Sequence, residues 1–292
     1  MTNAADFTGP STELLQALIR NECVNDGTPD SGNETRNSDL LVSYLEGTGV
    51  DIQTYTPRPG RDSMIARIAG SDPNAPSLCL MGHTDVVPVN VDGWTHDPFA
   101  AEIIDGEVWG RGAVDMLNLT STMAVVFRQL ANEGFRPKGD LIYFGVADEE
   151  AGGVWGAKWM AEHHWDDMQA DHVLTELGGW STVDDHGTRT ITVNVGEKGL
   201  AWRRIRVRGT PGHGSMPVGS DNALIKAAEI VRRIAEYQPS ARIDAIWEAQ
   251  VDAFGLPDEM RDAMKSSDKI WETLKTLPPG LARTCHALTH TT

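Results

Sequence analysis

Short apolar runs alternate with segments of helical periodicity over the first 176 residues. Five runs have strand character: residues 50–55, 63–68, 78–81, 141–147 and a shorter one at 173–174. Apolar side chains at helical spacing predict helices near residues 10–19, 34–46, 121–133 and 155–164. This alternation indicates a layered α/β domain with a mostly parallel sheet and helices on both faces.

The pattern changes after Gly199. Residues 201–208 alternate apolar side chains with arginines, which predicts a half-exposed strand, although the arginines could also grip a substrate carboxylate. Helical spacing then predicts helices over residues 222–236 and, more weakly, near 245–253 and 258–264. We therefore expect two domains, residues 1–198 and a smaller α+β domain of residues 199–292.

Composition narrows the possible partners and location. A formal net charge of -17 argues against nucleic acid, because its binders present basic surfaces. The three cysteines, Cys23, Cys79 and Cys285, are too few and too scattered for a disulfide framework or a thiolate metal site. No secretory signal begins the chain, and no apolar run approaches the roughly 20 residues of a membrane helix. We expect a cytoplasmic protein with no membrane or nucleic-acid partner.

Ionisable side chains follow the predicted strands at the points where they end. They are His83 and Asp85 after residues 78–81, Asp115 after a glycine-rich turn, Glu149 and Glu150 after residues 141–147, and Glu176 after residues 173–174. Ligands of such sheets bind at the carboxyl ends of the strands, so these side chains are expected to meet there. Divalent ions would relieve the repulsion among the carboxylates. Nitrogen and oxygen ligands suit zinc, with cobalt or manganese as alternatives.

Each acidic residue also has a simpler interpretation. Asp115 could merely cap the helix that follows it. The acidic run at residues 148–150 could be a solvated loop, and Glu176 could pair with an arginine. In favour of a metal site, two adjacent glutamates can divide the work, one binding metal while the other acts as a general base.

Three motifs carry a resemblance to a known family: Gly-His83-Thr-Asp85-Val-Val-Pro, Gly-Arg-Gly-Ala-Val-Asp115-Met, and Asp148-Glu149-Glu150 followed by Gly152 and Gly153. In order and spacing they resemble the dinuclear-zinc amidohydrolases and exopeptidases, such as acetylornithine deacetylase, succinyl-diaminopimelate desuccinylase, aminoacylase and carboxypeptidase G. The match runs from about residue 11 to about residue 236. It implies hydrolysis of an amide bond in an N-acyl amino acid or small peptide.

The resemblance also implies a role for each site residue. It places His83 and Glu176 on one of two metal ions, Glu150 on the other and Asp115 between them, with Glu149 as general base, Asp85 orienting His83, and a cis peptide bond between Asp115 and Met116. Residues 1–198 then form the metal-binding catalytic domain, and residues 199–292 a lid or dimerisation domain. His213 of that domain is implied to stabilise the oxyanion in the partner subunit's site of a homodimer.

The chain departs from the family at its C-terminal end. Relatives return after the lid to add a last histidine on the second metal, whereas this chain stops within what resembles the lid. We therefore expect residues 1–292 to be incomplete and poorly active alone. His286 and His290 could replace that histidine, but the alternation around them predicts a lid strand. The alternative function is a catalytically inactive metal-binding or dimerisation module, which the intact Glu149 argues against.

Within the family, one segment favours a branch. Residues 196–202, followed by Gly-His213-Gly-Ser, resemble the aminoacylase or carboxypeptidase branch more than the deacetylase branch.

Overall fold

The computed structural model describes residues 6–176, 181–183, 187–191, 193–194, 196, 198–199 and 203–291. The chain divides into two compact units, Met1–Val195 and Gly196–Thr292. Among the described helices, none is both long enough and apolar enough to cross a membrane. The assignment of a catalytic and a lid role to the two parts of the chain stays a prediction.

The first unit contains five helices and nine strands among its described residues. In chain order they are α1 (Thr8–Arg20), α2 (Thr35–Leu45), β1 (Asp51–Tyr55), β2 (Ser63–Ile68), β3 (Leu78–His83), β4 (Glu102–Ile104), β5 (Glu107–Trp109), α3 (Leu117–Asn132), β6 (Leu141–Val146), α4 (Ala157–His163), α5 (Trp165–Met168), β7 (His172–Leu174), β8 (Ser181–Val183) and β9 (Arg189–Ile191). Strands β4 and β5 form one hairpin, and β8 and β9 form another.

The central sheet has the strand order β1-β2-β6-β3-β7. Strand β3 is parallel to both β6 and β7, whereas β2 is antiparallel to both β1 and β6. Four of the five strands therefore point the same way, which confirms the predicted mostly parallel sheet. In the register, His83 lies opposite Val146, so β3 and β6 end level with each other. The residues that follow the two strands start side by side.

Alternating side chains divide the sheet into two packed faces. On β6, Tyr143 joins a core with apolar side chains of α1, α2 and α3, while Phe144 points to the opposite face. There it packs with Met160 of α4 and with neighbouring strand residues. Because successive strand residues point to opposite sides, an uninterrupted apolar strand requires cover on both. The predicted helices on both faces are confirmed.

Gly82 lets α3 approach the end of β3. A Cβ atom at this position would lie 2.4 Å from the Oγ1 atom of Thr120 and 3.1 Å from its Cα atom. The Thr120 hydroxyl donates a hydrogen bond of 2.8 Å to the carbonyl of His83. The sulfur of Met116 lies 3.2 Å from the backbone nitrogen of His83. The start of α3, and Asp115 before it, are thereby held beside His83.

The described part of the second unit is helical. Its helices are α6 (Ala223–Glu236), α7 (Ala245–Ala253), α8 (Asp258–Met264), α9 (Ile270–Leu274) and α10 (Pro279–Thr289). Trp247 of α7, Met264 of α8, Ile270 of α9 and Cys285 of α10 form its buried core. The predicted helices at residues 222–236, 245–253 and 258–264 are confirmed, and Asn222 caps α6 through its side chain.

Two strand predictions for this unit are wrong. Residues 203–208 form no strand, and residues 201–202 lie outside the described residues. Alternation produces a strand only where the backbone finds a pairing partner, and the described part of this unit contains no strand. Residues 286–289, predicted as a lid strand, belong to α10 instead. Cys285 and Thr289 are both buried there and are spaced four residues apart, which is a helical period.

Candidate metal centre

His83 is the buried centre of the site. It is the last residue of β3, and its side chain is 1% exposed. Its Nδ1 atom lies 2.9 Å from the main-chain carbonyl oxygen of Asp85, so Nδ1 carries a proton and donates it. Its Nε2 atom therefore faces the acidic groups at the strand ends.

Three carboxylates surround the Nε2 atom of His83. An oxygen of Asp115 lies at 3.2 Å, one of Glu176 at 3.4 Å and one of Glu149 at 3.9 Å. The sequence places these groups after three different elements, and the structure brings them together around one nitrogen. Glu150 joins His83 and Glu149 in a second group whose ligand atoms all lie within 4.8 Å of one another.

The geometry bears on each of the simpler interpretations of these acidic residues. The N-cap of α3 is Met116 rather than Asp115, and no side-chain hydrogen bond caps this helix. Within the acidic run, Asp148 is buried, whereas the side chain of Glu149 is about half exposed. Among the described residues, the ion-pair partner of Glu176 is His83 and not an arginine. The Asp115–Met116 peptide bond is cis, as the family resemblance implies.

Asp85 does more than orient the imidazole. Its carboxylate was expected to accept the Nδ1 proton of His83, but the main-chain carbonyl of Asp85 accepts it, and the nearer carboxylate oxygen lies 3.6 Å away. The two carboxylate oxygens instead accept the backbone N–H groups of Glu149, at 3.2 Å, and Glu150, at 3.1 Å. Since β3 and β6 end level, one buried aspartate can hold the turn that carries both glutamates.

A set of buried polar residues behind Asp85 was missed from the sequence. From the sequence, Asn25 lies in a predicted loop, Glu34 at the start of a predicted helix and Arg61 in the region of a predicted turn. In the structure all three are buried and connected by hydrogen bonds to one another and to Asp148. Their distance from the motifs along the chain left no local signal, because only the fold brings them together.

Burial and the neighbouring charges perturb the pKa values of the cluster. Burial raises the pKa of Asp85 and of Glu149, although the nearby His83 opposes both shifts. Burial also raises the pKa of Glu150 to about 7, with His83 again opposing. For His83, burial lowers the pKa, but the hydrogen bond to Glu176 and the charges of Asp85 and Glu149 overcome it and raise the pKa to about 10. The positive charge of His83 therefore does not fully compensate the buried carboxylates.

We expect the metal-free protein to lose stability as the pH rises from about 5.5 to about 8. Burial, together with the charge of Asp85, raises the pKa of Glu34 to about 7, and Glu150 has a similar value. Unfolded glutamates release their protons near pH 4.3, so the folded state holds extra protons that it loses on the way to pH 7. The contribution of His83 is complete below its unfolded pKa of about 6.5 and is lost as the pH rises through about 10.

Urea unfolding in the presence of a chelator, at pH about 5.5 and about 8, measures how the free energy of unfolding depends on pH. Both shifts have the same sign, so the free energy of unfolding should be lower at the higher pH, and Glu34→Gln should flatten the slope. A free energy of unfolding that increases with pH over this range would contradict the electrostatic description.

The ligand atoms fit a divalent metal ion. Two groups converge on His83, one with Asp115 and Glu176 and one with Glu149 and Glu150. One imidazole nitrogen and several carboxylate oxygens are a donor set that zinc, cobalt and manganese accept. A bound cation would also offset the crowding that raises the carboxylate pKa values. The first group contains the three residues that the resemblance places around one ion.

The remaining predicted residues lie in the second unit. His213 is exposed, and its Nδ1 atom lies 2.8 Å from the hydroxyl oxygen of Ser215. The rings of His286 and His290 stack at 4.4 Å, and each packs edge-on against Trp271. The oxyanion role of His213 and the replacement of a missing ligand by His286 or His290 stay untested.

Comparison with known proteins identifies the family. The model of "Peptidase family M20/M25/M40" matches residues 79–275. A succinyl-diaminopimelate desuccinylase from Rhodopseudomonas palustris is 33% identical over 252 residues, which cover 80% of this chain and 61% of the relative. A second one, from Parvibaculum lavamentivorans, is 34% identical and covers 76% of this chain and 54% of the relative. This chain thus spans less than two thirds of the length of these relatives.

Structural comparison supports the same fold. The M20 family metallo-carboxypeptidase Sso-CP2 from Sulfolobus solfataricus matches with a TM-score of 0.56 and 19% identity, over 95% of this chain and 62% of that one. At this level of identity the likeness concerns the fold. The family model covers most of the chain and includes the strand ends that carry the cluster around His83. This chain is a member of the peptidase family M20/M25/M40.

Proposed function

We propose that this protein is a metal-dependent hydrolase that cleaves an amide bond of an N-acyl amino acid or small peptide. The convergence of Asp115, Glu149 and Glu176 on the Nε2 atom of a buried histidine supports this proposal most strongly. The names of the curated relatives make an N-succinylated diamino acid the first substrate to test.

Two divalent ions, zinc first, are the proposed cofactor. His83, Asp115 and Glu176 would hold one ion, and Glu150 would hold the other, with Asp115 between them. When bound, such ions polarise an amide carbonyl and make water acidic enough to act as a nucleophile near neutral pH. The protein's contribution is to fix the ligands and supply a base.

Glu149 is the proposed general base. Its carboxylate is half exposed and its nearer oxygen lies 3.9 Å from the Nε2 atom of His83, so it borders the ligand group and remains open to solvent. Burial raises its pKa, which brings it closer to the pH at which a base works best. Glu149 would take a proton from the attacking water and later deliver it to the nitrogen of the leaving amine.

Other residues hold these groups in place. The hydrogen bond from His83 Nδ1 to the Asp85 carbonyl fixes the ring, so that Nε2 points at the ligand group. The carboxylate of Asp85 fixes the backbone of Glu149. His213, by resemblance, would stabilise the oxyanion from the second subunit of a homodimer, and the Ser215 hydroxyl beside Nδ1 would help to orient its ring.

Release of free amine tests the proposed activity. Metal-depleted protein would be assayed with N-succinyl-diaminopimelate, N-acetyl amino acids and a dipeptide, before and after zinc, cobalt or manganese is added. We expect slow hydrolysis of at least one substrate, which appears with metal and disappears again with a chelator. Metal-loaded protein that binds two ions but hydrolyses none of these substrates would support the inactive binding module instead.

A further inference from the structure

A buried polar network lies behind the metal centre. It consists of Asn25, from the loop after α1, Glu34 at the start of α2, Arg61, from the turn before β2, and Asp148, just after β6. Each of the four is no more than 2% exposed. They come from four segments between residues 25 and 148, and none of them is in either group of metal-ligand atoms.

Arg61 is the charged centre of this network. Its Nη1 atom donates to Glu34 at 2.7 Å, its Nη2 atom donates to the side-chain oxygen of Asn25 at 3.1 Å, and its Nε atom lies 3.7 Å from Asp148. Glu34 in turn accepts the backbone N–H of Asp148 at 3.1 Å. Among the ion pairs of the described residues, Arg61 is the sole arginine or lysine partner of these two acids.

Asn25 connects Arg61 to the metal centre by hydrogen bonds. Its side-chain oxygen accepts from Arg61, which fixes the orientation of its amide. Its side-chain nitrogen then donates to Asp85 at 2.8 Å and to Asp148 at 3.1 Å. Because the carboxylate of Asp85 also accepts the N–H groups of Glu149 and Glu150, a continuous set of hydrogen bonds runs from Arg61 to both glutamates.

The chain is shaped to hold the guanidinium group closely. A Cβ atom at position 32 would lie 1.6 Å from the Nη1 atom of Arg61, and Gly32 has a φ of +86°. Only glycine meets both conditions without strain. The loop therefore closes directly over the arginine, which excludes water and strengthens its hydrogen bonds.

We propose that Arg61 and Asn25 are positioning residues, which set the carboxylate of Asp85 and through it the backbone of Glu149 and Glu150. The proposal rests on the proposed function, since it concerns the same metal centre. A merely structural ion pair would contribute to stability alone. A positioning role also predicts weaker metal binding and looser amides at Glu149 and Glu150.

Two matched pairs of variants separate these roles. Arg61→Met is compared with Arg67→Met, because Arg67 lies farther along the same segment, in β2, and makes a part-buried ion pair with Asp140. Asn25→Ala is compared with Asn37→Ala, because Asn37 is fully buried and donates at 2.7 Å to the carbonyl of Thr84, but among the described residues no hydrogen bond joins it to the Asp85 carboxylate. If Arg61→Met does not fold, the comparison of Asn25→Ala with Asn37→Ala tests the positioning role.

Three measurements are made on each 292-residue protein. They are urea unfolding without metal, zinc affinity by competition with a chromogenic chelator, and amide hydrogen exchange by NMR. We expect zinc affinity to fall about 10–100-fold in Arg61→Met and Asn25→Ala, as for other groups that orient metal ligands. The amides of Glu149 and Glu150 should exchange faster in both variants, and the two controls should lose stability only.

Equal zinc affinity and equal exchange at Glu149 and Glu150 in test and control variants would overturn the positioning role and leave the proposed function intact. If the unmodified protein binds zinc and orders the site as described but hydrolyses no amide, only the proposed function fails. An unmodified protein that binds no zinc would overturn both.

Discussion

Replacing Glu149 by glutamine is expected to reduce the rate of amide hydrolysis by about 10²–10⁴-fold while zinc stays bound. The amide of glutamine cannot accept the proton of the attacking water, so the loss should appear in kcat more than in KM. The backbone N–H of residue 149 would still donate to Asp85, and the side chain keeps its size, so the fold should be retained. Steady-state kinetics with the best substrate of the panel measures the effect.

A suitable control is Glu133→Gln. Glu133 follows the last turn of α3, where its side chain accepts from Gln129 at the surface. This control should retain the full rate. A Glu149→Gln protein that keeps its rate with two zinc ions bound would show that another group is the base.

Replacing His83 by asparagine is expected to reduce zinc affinity by more than about 100-fold. That is beyond the roughly 10–100-fold cost of losing a group that only orients a ligand. His83 supplies the imidazole nitrogen of the proposed ligand group with Asp115 and Glu176, and without it the remaining carboxylates keep their mutual repulsion. Competition with a chromogenic chelator gives the affinity.

His163→Asn provides the comparison. His163 ends α4, is exposed, and stacks on Trp159 away from the carboxylate cluster. Its loss should leave zinc affinity unchanged. If both variants bind zinc like the unmodified protein, the metal does not bind at His83.

The periodicity of apolar residues predicts the sheet and the helices on its two faces because the strands are buried on both faces. An apolar run such as β6 has few alternatives once helices flank it in sequence, and charged residues just after it must lie at the edge of the sheet. The sequence therefore predicts that His83, Glu149 and Glu176 lie near one another.

The supporting residues are harder to predict. Asn25 becomes informative only when the fold buries it against Asp85, 60 residues away along the chain, and Arg61 only when it is buried against Asn25. The strand prediction for residues 203–208 is wrong for a different reason. Their alternation is clear, but a strand depends on a neighbouring strand that a local pattern does not contain.

X-ray absorption at the zinc edge, on protein loaded with two equivalents of zinc, tests the metal centre most directly. With His83 and the carboxylates as ligands, the expected result is a shell of nitrogen and oxygen only, at about 2.0–2.2 Å, and a second zinc ion at about 3.5–4 Å. A sulfur shell near about 2.3 Å would instead place zinc on the cysteines. Isolated zinc ions without a neighbour would contradict the paired site at the ends of β3 and β6.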